Sequence, residues 1–282
     1  MHFFDYASPA SLDDLLRLLD QHGSDAKILA GGTDLIVRMR AGRMLPRVVI
    51  DLKRVSSLRS DIVEIDSCLR IGARAVMADV IADTRIQRLF PALVEAAGVV
   101  GSVQIRNRAT LAGNICNASP AADTAPALLV YDAIANLAGL HGPRRVPLCA
   151  FFTGPGRTVL QRAEIVESID LPLAAAASGA AFGRLTRRRG VDLATVNLCC
   201  LVKPSGEVRF AYGAVGPRPF LVQDASGVLA NPEATAAERD ARLRELISAA
   251  SPISDLRGGR DYRMAMLLVM SRRALVAALK HL

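Results

Sequence analysis

Two short glycine-bearing segments, about eighty residues apart, are where the main chain itself can do chemistry: Leu29-Ala30-Gly31-Gly32-Thr33-Asp34-Leu35-Ile36 and Thr110-Leu111-Ala112-Gly113-Asn114. A glycine turn has no Cβ to keep a phosphate away, and its successive N–H groups form a nest for an anion. Two such turns can grip one extended anionic ligand from two sides, and the diphosphate of a dinucleotide needs a cradle of that kind. The first segment is not a G-x-G-x-x-G fingerprint, because the third glycine is missing, nor a phosphate loop, because no Gly-Lys-Ser/Thr follows. A Gly-Gly pair before a helix also has a plain structural reading as a turn. What sharpens the pattern is the polar, small-residue tail of the second segment, residues 114–123, since such loops carry function more often than packing.

The elements that must hold these segments can be read from periodicity. Residues 27–30 form a short strand that delivers the first turn, and residues 34–40 read as a helix with Asp34 near its positive end. Before them, residues 11–22 are an amphipathic helix capped by Ser11 and stopped at Gly23. Residues 47–51 read as a second strand, and 62–65 with 69–71 as a hairpin. Residues 79–97 are mainly helical, in two pieces, because Pro91 suits a new first turn. Residues 123–131 form an apolar helix. Pro172 and the alanine run 174–177 mark a boundary. Beyond it lie strands at 180–185, 193–202 and 208–215, the last two a hairpin through Pro204-Ser205-Gly206, then helices at 233–250 and 262–282. Strands followed by helices give an α+β class.

Composition narrows the function. No apolar run approaches the eighteen or so residues of a membrane span, and the first residues lack a signal-peptide pattern, so a cytoplasmic protein without a membrane span is expected. Five cysteines without a CxxC pair argue against a disulfide framework and against metal or cluster ligation by this chain. The net charge of +8 permits a nucleic-acid partner, but arginines are scattered and there is no tryptophan to stack on bases. A basic face for an acidic protein partner explains the charge equally well, so nucleic-acid binding is not expected. No paired carboxylates, nucleophile–base pair or metal constellation stands out, so no catalytic side chain is assigned.

Residues 30–40, Ala-Gly-Gly-Thr-Asp-Leu-Ile-Val-Arg-Met-Arg, and 110–126, Thr-Leu-Ala-Gly-Asn-Ile-Cys-Asn-Ala-Ser-Pro-Ala-Ala-Asp-Thr-Ala-Pro, resemble the two FAD motifs of the molybdenum hydroxylase flavoprotein subunits. These are the medium subunits of the xanthine dehydrogenase, carbon monoxide dehydrogenase and aldehyde oxidoreductase type. Residues 151–158, Glu164-Ile165, 184–188 with 192–194, Tyr262-Arg263 and 272–275 extend the resemblance over nearly the whole chain. It implies a two-lobed FAD-binding domain of the vanillyl-alcohol oxidase type at 1–175, its lobes split near residue 55. A small C-terminal α+β domain at 176–282 follows, a three-stranded antiparallel sheet with helices.

By the same resemblance, Leu29 to Ile36 wrap the FAD diphosphate and Thr110, Ala112, Gly113 and Asn114 close on it. Asp123 touches the adenosine part, Ile165 lies at the flavin, and Arg184 stands where lysine is usual. Ala112 replaces a common glycine, which requires a negative φ or a more distant phosphate. The FAD is expected to be noncovalent, because His22 and His141 lie outside the motifs. The implied partners are a small [2Fe-2S] subunit and a large molybdopterin subunit, as a dimer of heterotrimers, with NAD+ or another acceptor taking the electrons. A stand-alone FAD oxidoreductase of the same superfamily, or a basic nucleic-acid-binding or scaffold protein, are the competing readings.

Overall fold

The computed structural model describes residues 2–175 and 177–282, so Ala176, the expected first residue of the C-terminal domain, and Met1 lie outside the described residues. The chain opens with β1 (Asp5–Ala7), α1 (Leu12–His22), β2 (Ala26–Leu29), α2 (Leu35–Arg40) and β3 (Val48–Asp51). The three strands make a parallel sheet with β3 in the middle. Helix α1 forms because Ser11 Oγ accepts from the Asp14 N–H and Leu15, Leu16 and Leu19 share one buried stripe. That stripe covers the sheet and fixes β2, which ends where the first glycine segment begins.

The next elements are β4 (Ile62–Ile65), β5 (Cys68–Gly72), α3 (Met77–Ala82), α4 (Thr84–Leu89), α5 (Pro91–Gly98), α6 (Val103–Arg106), α7 (Leu111–Asn117) and α8 (Thr124–Val130). The expected two-piece helix is three helices. Asp83 accepts from the Arg85 and Ile86 N–H groups and so starts α4 where the sequence reads as continuous. Then come β6 (Ile134–Ala138), β7 (Arg144–Pro147), α9 (Leu148–Phe151), the short hairpin β8 (Phe152–Gly154) and β9 (Arg157–Thr158), and β10 (Ile165–Pro172). An antiparallel sheet in the order β4-β5-β10-β6-β7 has β10 at its centre. Phe151 and Phe152 fill the core edge to face, 5.4 Å between centroids.

The last unit is an antiparallel sheet of β11 (Gly179–Leu185), β12 (Val196–Val202), β13 (Val208–Gly213) and β14 (Phe220–Asp224), followed by α10 (Ala236–Ile247) and α11 (Arg260–Lys280). The expected three strands are four. Pro217 and Pro219 make the segment before β14 read as loop, yet proline is tolerated where an edge strand starts. Every residue of β12 is buried, because both faces of the sheet are covered. Cys199, Leu201 and Ala211 join the core of the preceding lobes, while Leu198, Cys200, Phe210 and Tyr212 pack with α10 and α11. Neighbouring strand residues point to opposite faces, so Cys199 and Cys200 belong to different cores. Among the described residues, no helix is long and apolar enough to cross a membrane.

Candidate functional site

The first glycine segment leaves β2 and turns sharply into α2. Gly32 has φ +75°, the left-handed region that a side chain disfavours. The N–H groups of Gly31, Gly32, Thr33, Asp34 and Leu35 donate to no acceptor among the described residues, and the first internal bond of the segment runs from Ile36 N–H to the Gly32 carbonyl. Five consecutive unpaired N–H groups around a glycine turn suit an anion. Asp34 is exposed and its side chain makes no capping hydrogen bond.

The second segment is not a turn. Thr110 is the N-cap of α7, its Oγ1 accepting from the Gly113 N–H at 3.0 Å, and Gly113 lies inside the helix. A glycine read as turn punctuation is here overruled by a threonine cap. The Leu111 N–H bonds to the Ala75 carbonyl and the Asn114 N–H to the Thr110 carbonyl. That leaves Ala112 as the N–H of residues 111–114 with no partner among the described residues. Ala112 is helical with negative φ, so its methyl is accommodated. Asn114 Oδ1 accepts from the buried Thr124 hydroxyl at 2.7 Å, tying α7 to α8.

The two segments meet. A Cβ built on Gly31 would lie 2.0 Å from the Arg108 carbonyl oxygen and 3.0 Å from Ala109 Cα, directly before Thr110. Only glycine permits that approach of two backbones. Beside the contact is a cleft of about 110 Å³ lined by Ala30, Gly31, Leu52, Lys53, Arg74, Val76, Asn107, Arg108 and Thr110. It has room for a diphosphate-sized group, and the ring systems of a dinucleotide must extend beyond its ends. The cleft is basic and contains no carboxylate, histidine or cysteine. The residues present therefore fit a dinucleotide diphosphate: free N–H groups, a cradle that a Cβ would fill, and cations.

Of the expected site residues, Ala30, Gly31 and Thr110 line this cleft, and Leu29, Gly32 to Ile36, and Ala112 to Asn114 flank it in sequence. Asp123, Arg184 and Ile165 lie outside its lining. Asp123, at the N-terminus of α8, is held from the C-terminal sheet: Arg184 Nε donates to its Oδ1 at 3.1 Å and Asn197 Nδ2 to the same oxygen at 2.9 Å. Arg184 and Asn197 are directly paired across β11 and β12. Burial pushes the Asp123 carboxyl above the ordinary range, although Asn197 and Arg184 act in the opposite sense. Its Oδ2 has no hydrogen-bond partner among the described residues. Arg184 also donates to the Asp192 carbonyl. Ile165 is buried at the start of β10.

Sequence reasoning missed Lys53, Arg74, Asn107, Arg108 and Asn197. A lone asparagine within the apolar run of β12 was a readable signal for Asn197, and Arg108 just ahead of the second motif was one for the cleft. Cys116 is partly buried against the core, and burial pushes its thiol up to about 12, so it is a neutral thiol at pH 7. Among the described residues, no group of three His, Cys, Asp or Glu is placed to hold a metal ion.

Residues 2–174 match the family described as the FAD binding domain in molybdopterin dehydrogenase, and residues 180–278 match the CO dehydrogenase flavoprotein C-terminal domain. The chain is similar to the carbon monoxide dehydrogenase medium chain of Hydrogenophaga pseudoflava, 35% identical over 279 residues that cover 98% of this chain and 96% of the relative. It is 31% identical over 283 residues to the xanthine dehydrogenase FAD-binding subunit of Escherichia coli O157:H7, covering 98% and 97%. Among solved structures, carbon monoxide dehydrogenase from Hydrogenophaga pseudoflava matches with a TM-score of 0.90 over 99% of this chain and 98% of that one, at 35% identity. Quinoline 2-oxidoreductase from Pseudomonas putida 86 matches with a TM-score of 0.88 at 26% identity, covering 99% and 97%.

Proposed function

The chain belongs to the FAD-binding medium subunits of the molybdenum hydroxylases, and from that membership we propose that it holds FAD noncovalently where its two glycine segments meet and works as an electron-transfer subunit. The observation that carries this reading is the contact of Gly31 with the Arg108–Ala109 main chain beside five unpaired N–H groups. The N–H groups of Gly31, Gly32, Thr33, Asp34 and Leu35 hold one flank of the diphosphate, with Leu29, Ala30 and Ile36 supporting the turn. Thr110, Ala112, Gly113 and Asn114 form the opposite flank, with Ala112 as its free donor. Asp123 offers Oδ2 to the adenosine part, and Arg184 acts through Asp123 by holding its carboxylate in place. Ile165 backs the flavin end by packing. A partly buried, neutral Cys116 supports noncovalent attachment.

When bound, FAD supplies exchange between one-electron and two-electron transfer, while the protein supplies position and electrostatics. The relatives are named as a medium chain and an FAD-binding subunit, which supports a partnership with a small [2Fe-2S] subunit that delivers electrons and a large molybdopterin subunit that meets substrate. We place the pair of heterotrimers and transfer to NAD+ in the same reading. We keep the division at 1–175 and 176–282, with lobes split near residue 55; the two family matches, over 2–174 and 180–278, support its outer boundary. A stand-alone oxidoreductase would need an acid or base beside the ring, and the likeness to a medium chain and an FAD-binding subunit favours the subunit reading.

The test is the visible spectrum of the purified full chain after incubation with FAD and gel filtration. Flavin absorbance that heat or acid releases as FAD is expected. A chain that stays colourless removes the assignment, and flavin that remains attached after denaturation removes its noncovalent part.

A further inference from the structure

Resting on the placement of FAD in this cleft, we propose that Arg74 and Arg108 form a cationic wall that neutralises the cofactor's diphosphate and makes the chain select a dinucleotide over a shorter flavin. Three cations line the cleft with Gly31 and Thr110. One of them is already matched: Lys53 Nζ is 2.7 Å from Asp51 Oδ2, whose side chain is buried. Arg74 and Arg108 have no carboxylate partner among the described residues. A dinucleotide diphosphate ionises once at each phosphate, so two unmatched guanidinium groups balance it.

The orientation of Arg74 points the same way. Its Nη1 donates to the Lys53 carbonyl at 2.6 Å, which anchors one corner of the plane. Its Nε is buried without a partner. A buried donor left unpaired costs free energy, and such a group asks for an acceptor. With Nη1 engaged, the Nε–Nη2 edge is the free side of the fork, the geometry that takes two phosphate oxygens at once. Arg108 is exposed, and its carbonyl is the atom on which Gly31 packs. The residue that seats one lobe on the other therefore also brings a charge to the cleft. Neither arginine belongs to either glycine motif.

The flavin-free full chain is titrated with FAD and riboflavin by fluorescence and with ADP by competition. Arg74→Ala and Arg108→Ala are each expected to weaken FAD about tenfold, the loss of one charged hydrogen-bonding group. ADP weakens in parallel and riboflavin is unchanged. Arg74→Lys keeps the charge without the fork and recovers part of the loss. Unchanged FAD affinity in both alanine variants overturns the wall, and so does equal weakening of FAD and riboflavin, which a merely loosened fold produces. Arg108→Ala removes an exposed side chain and keeps the fold, so it decides the matter even where Arg74→Ala fails to fold. A parent chain that binds no FAD takes the cofactor placement down first and the wall with it.

Discussion

At Gly31 a single hydrogen stands where any other residue would drive a carbon to 2.0 Å from the Arg108 carbonyl oxygen. Real Cβ atoms do not come so close to a carbonyl, so Gly31→Ala must part the two backbones. The expected result is at least a tenfold loss of FAD affinity, more than 1.4 kcal/mol, read by flavin fluorescence. Gly98→Ala is the control: a Cβ there has nothing within 4 Å, and φ is not positive. It should leave flavin content unchanged and add up to about 1 kcal/mol of stability by limiting the unfolded chain. Parental flavin content in Gly31→Ala would mean that the close approach does not build the site. The glycine was visible in the sequence, but its opposing carbonyl was not. Nothing local to residues 29–36 says that Arg108 will sit there, and the same holds for Arg74, which reaches the cleft from the segment after β5.

Elements rather than single residues set the distances across the lobes. The C-terminal sheet grips the second motif's tail through Arg184 and Asn197 on paired strands, and the Ala214 N–H donates to the Pro120 carbonyl at 2.7 Å beside them. The central strand β10 carries a comparable fixture. Asp170 is buried and takes both ends of the Arg70 fork at 2.7 and 2.9 Å, with Arg145 at 3.3 Å. Burial alone would raise its carboxyl, but the bonds from Arg70 and the charges of Arg70 and Arg145 outweigh it and hold the carboxyl below its ordinary range. A carboxyl lowered by folding stabilises through its ionised form. That stabilisation is complete above the unfolded value, at about pH 4, and is lost as pH falls further through the folded value. Denaturant titrations between neutral pH and pH 2 should show this slope, and Asp170→Asn should flatten it and cost about 3 kcal/mol at pH 7. An unaltered acid limb in the variant would show that the Arg70 pair is not what acid breaks.

At the scale of the molecule, one continuous core runs from α1 through both lobes to one face of the C-terminal sheet, so a ligand held between the lobes reports on the whole fold. FAD at a hundred times its dissociation constant should stabilise the chain by about 2.7 kcal/mol, seen as an upward shift of several degrees in Tm. Adenosine without phosphate should not do this, and a midpoint blind to FAD would place the cofactor's grip elsewhere. The sequence alone determined what depends on neighbours within a few residues. These are the Ser11-capped helix, the β12–β13 hairpin and the Gly31-Gly32 turn. It misread the start of α7, where the Thr110 cap and the Ala75 carbonyl turn a glycine segment into helix. It also missed β14, whose pairing with β13 outweighs its flanking prolines. Only tertiary packing decided that Gly31 meets Arg108, that Asp123 is held by Arg184 sixty-one residues away, and that Arg74 and Arg108 share a cleft with Gly31 at the head of the run of free amides. Contacts between distant segments depend on how buried faces fit together, and that fit leaves no periodic trace along the chain.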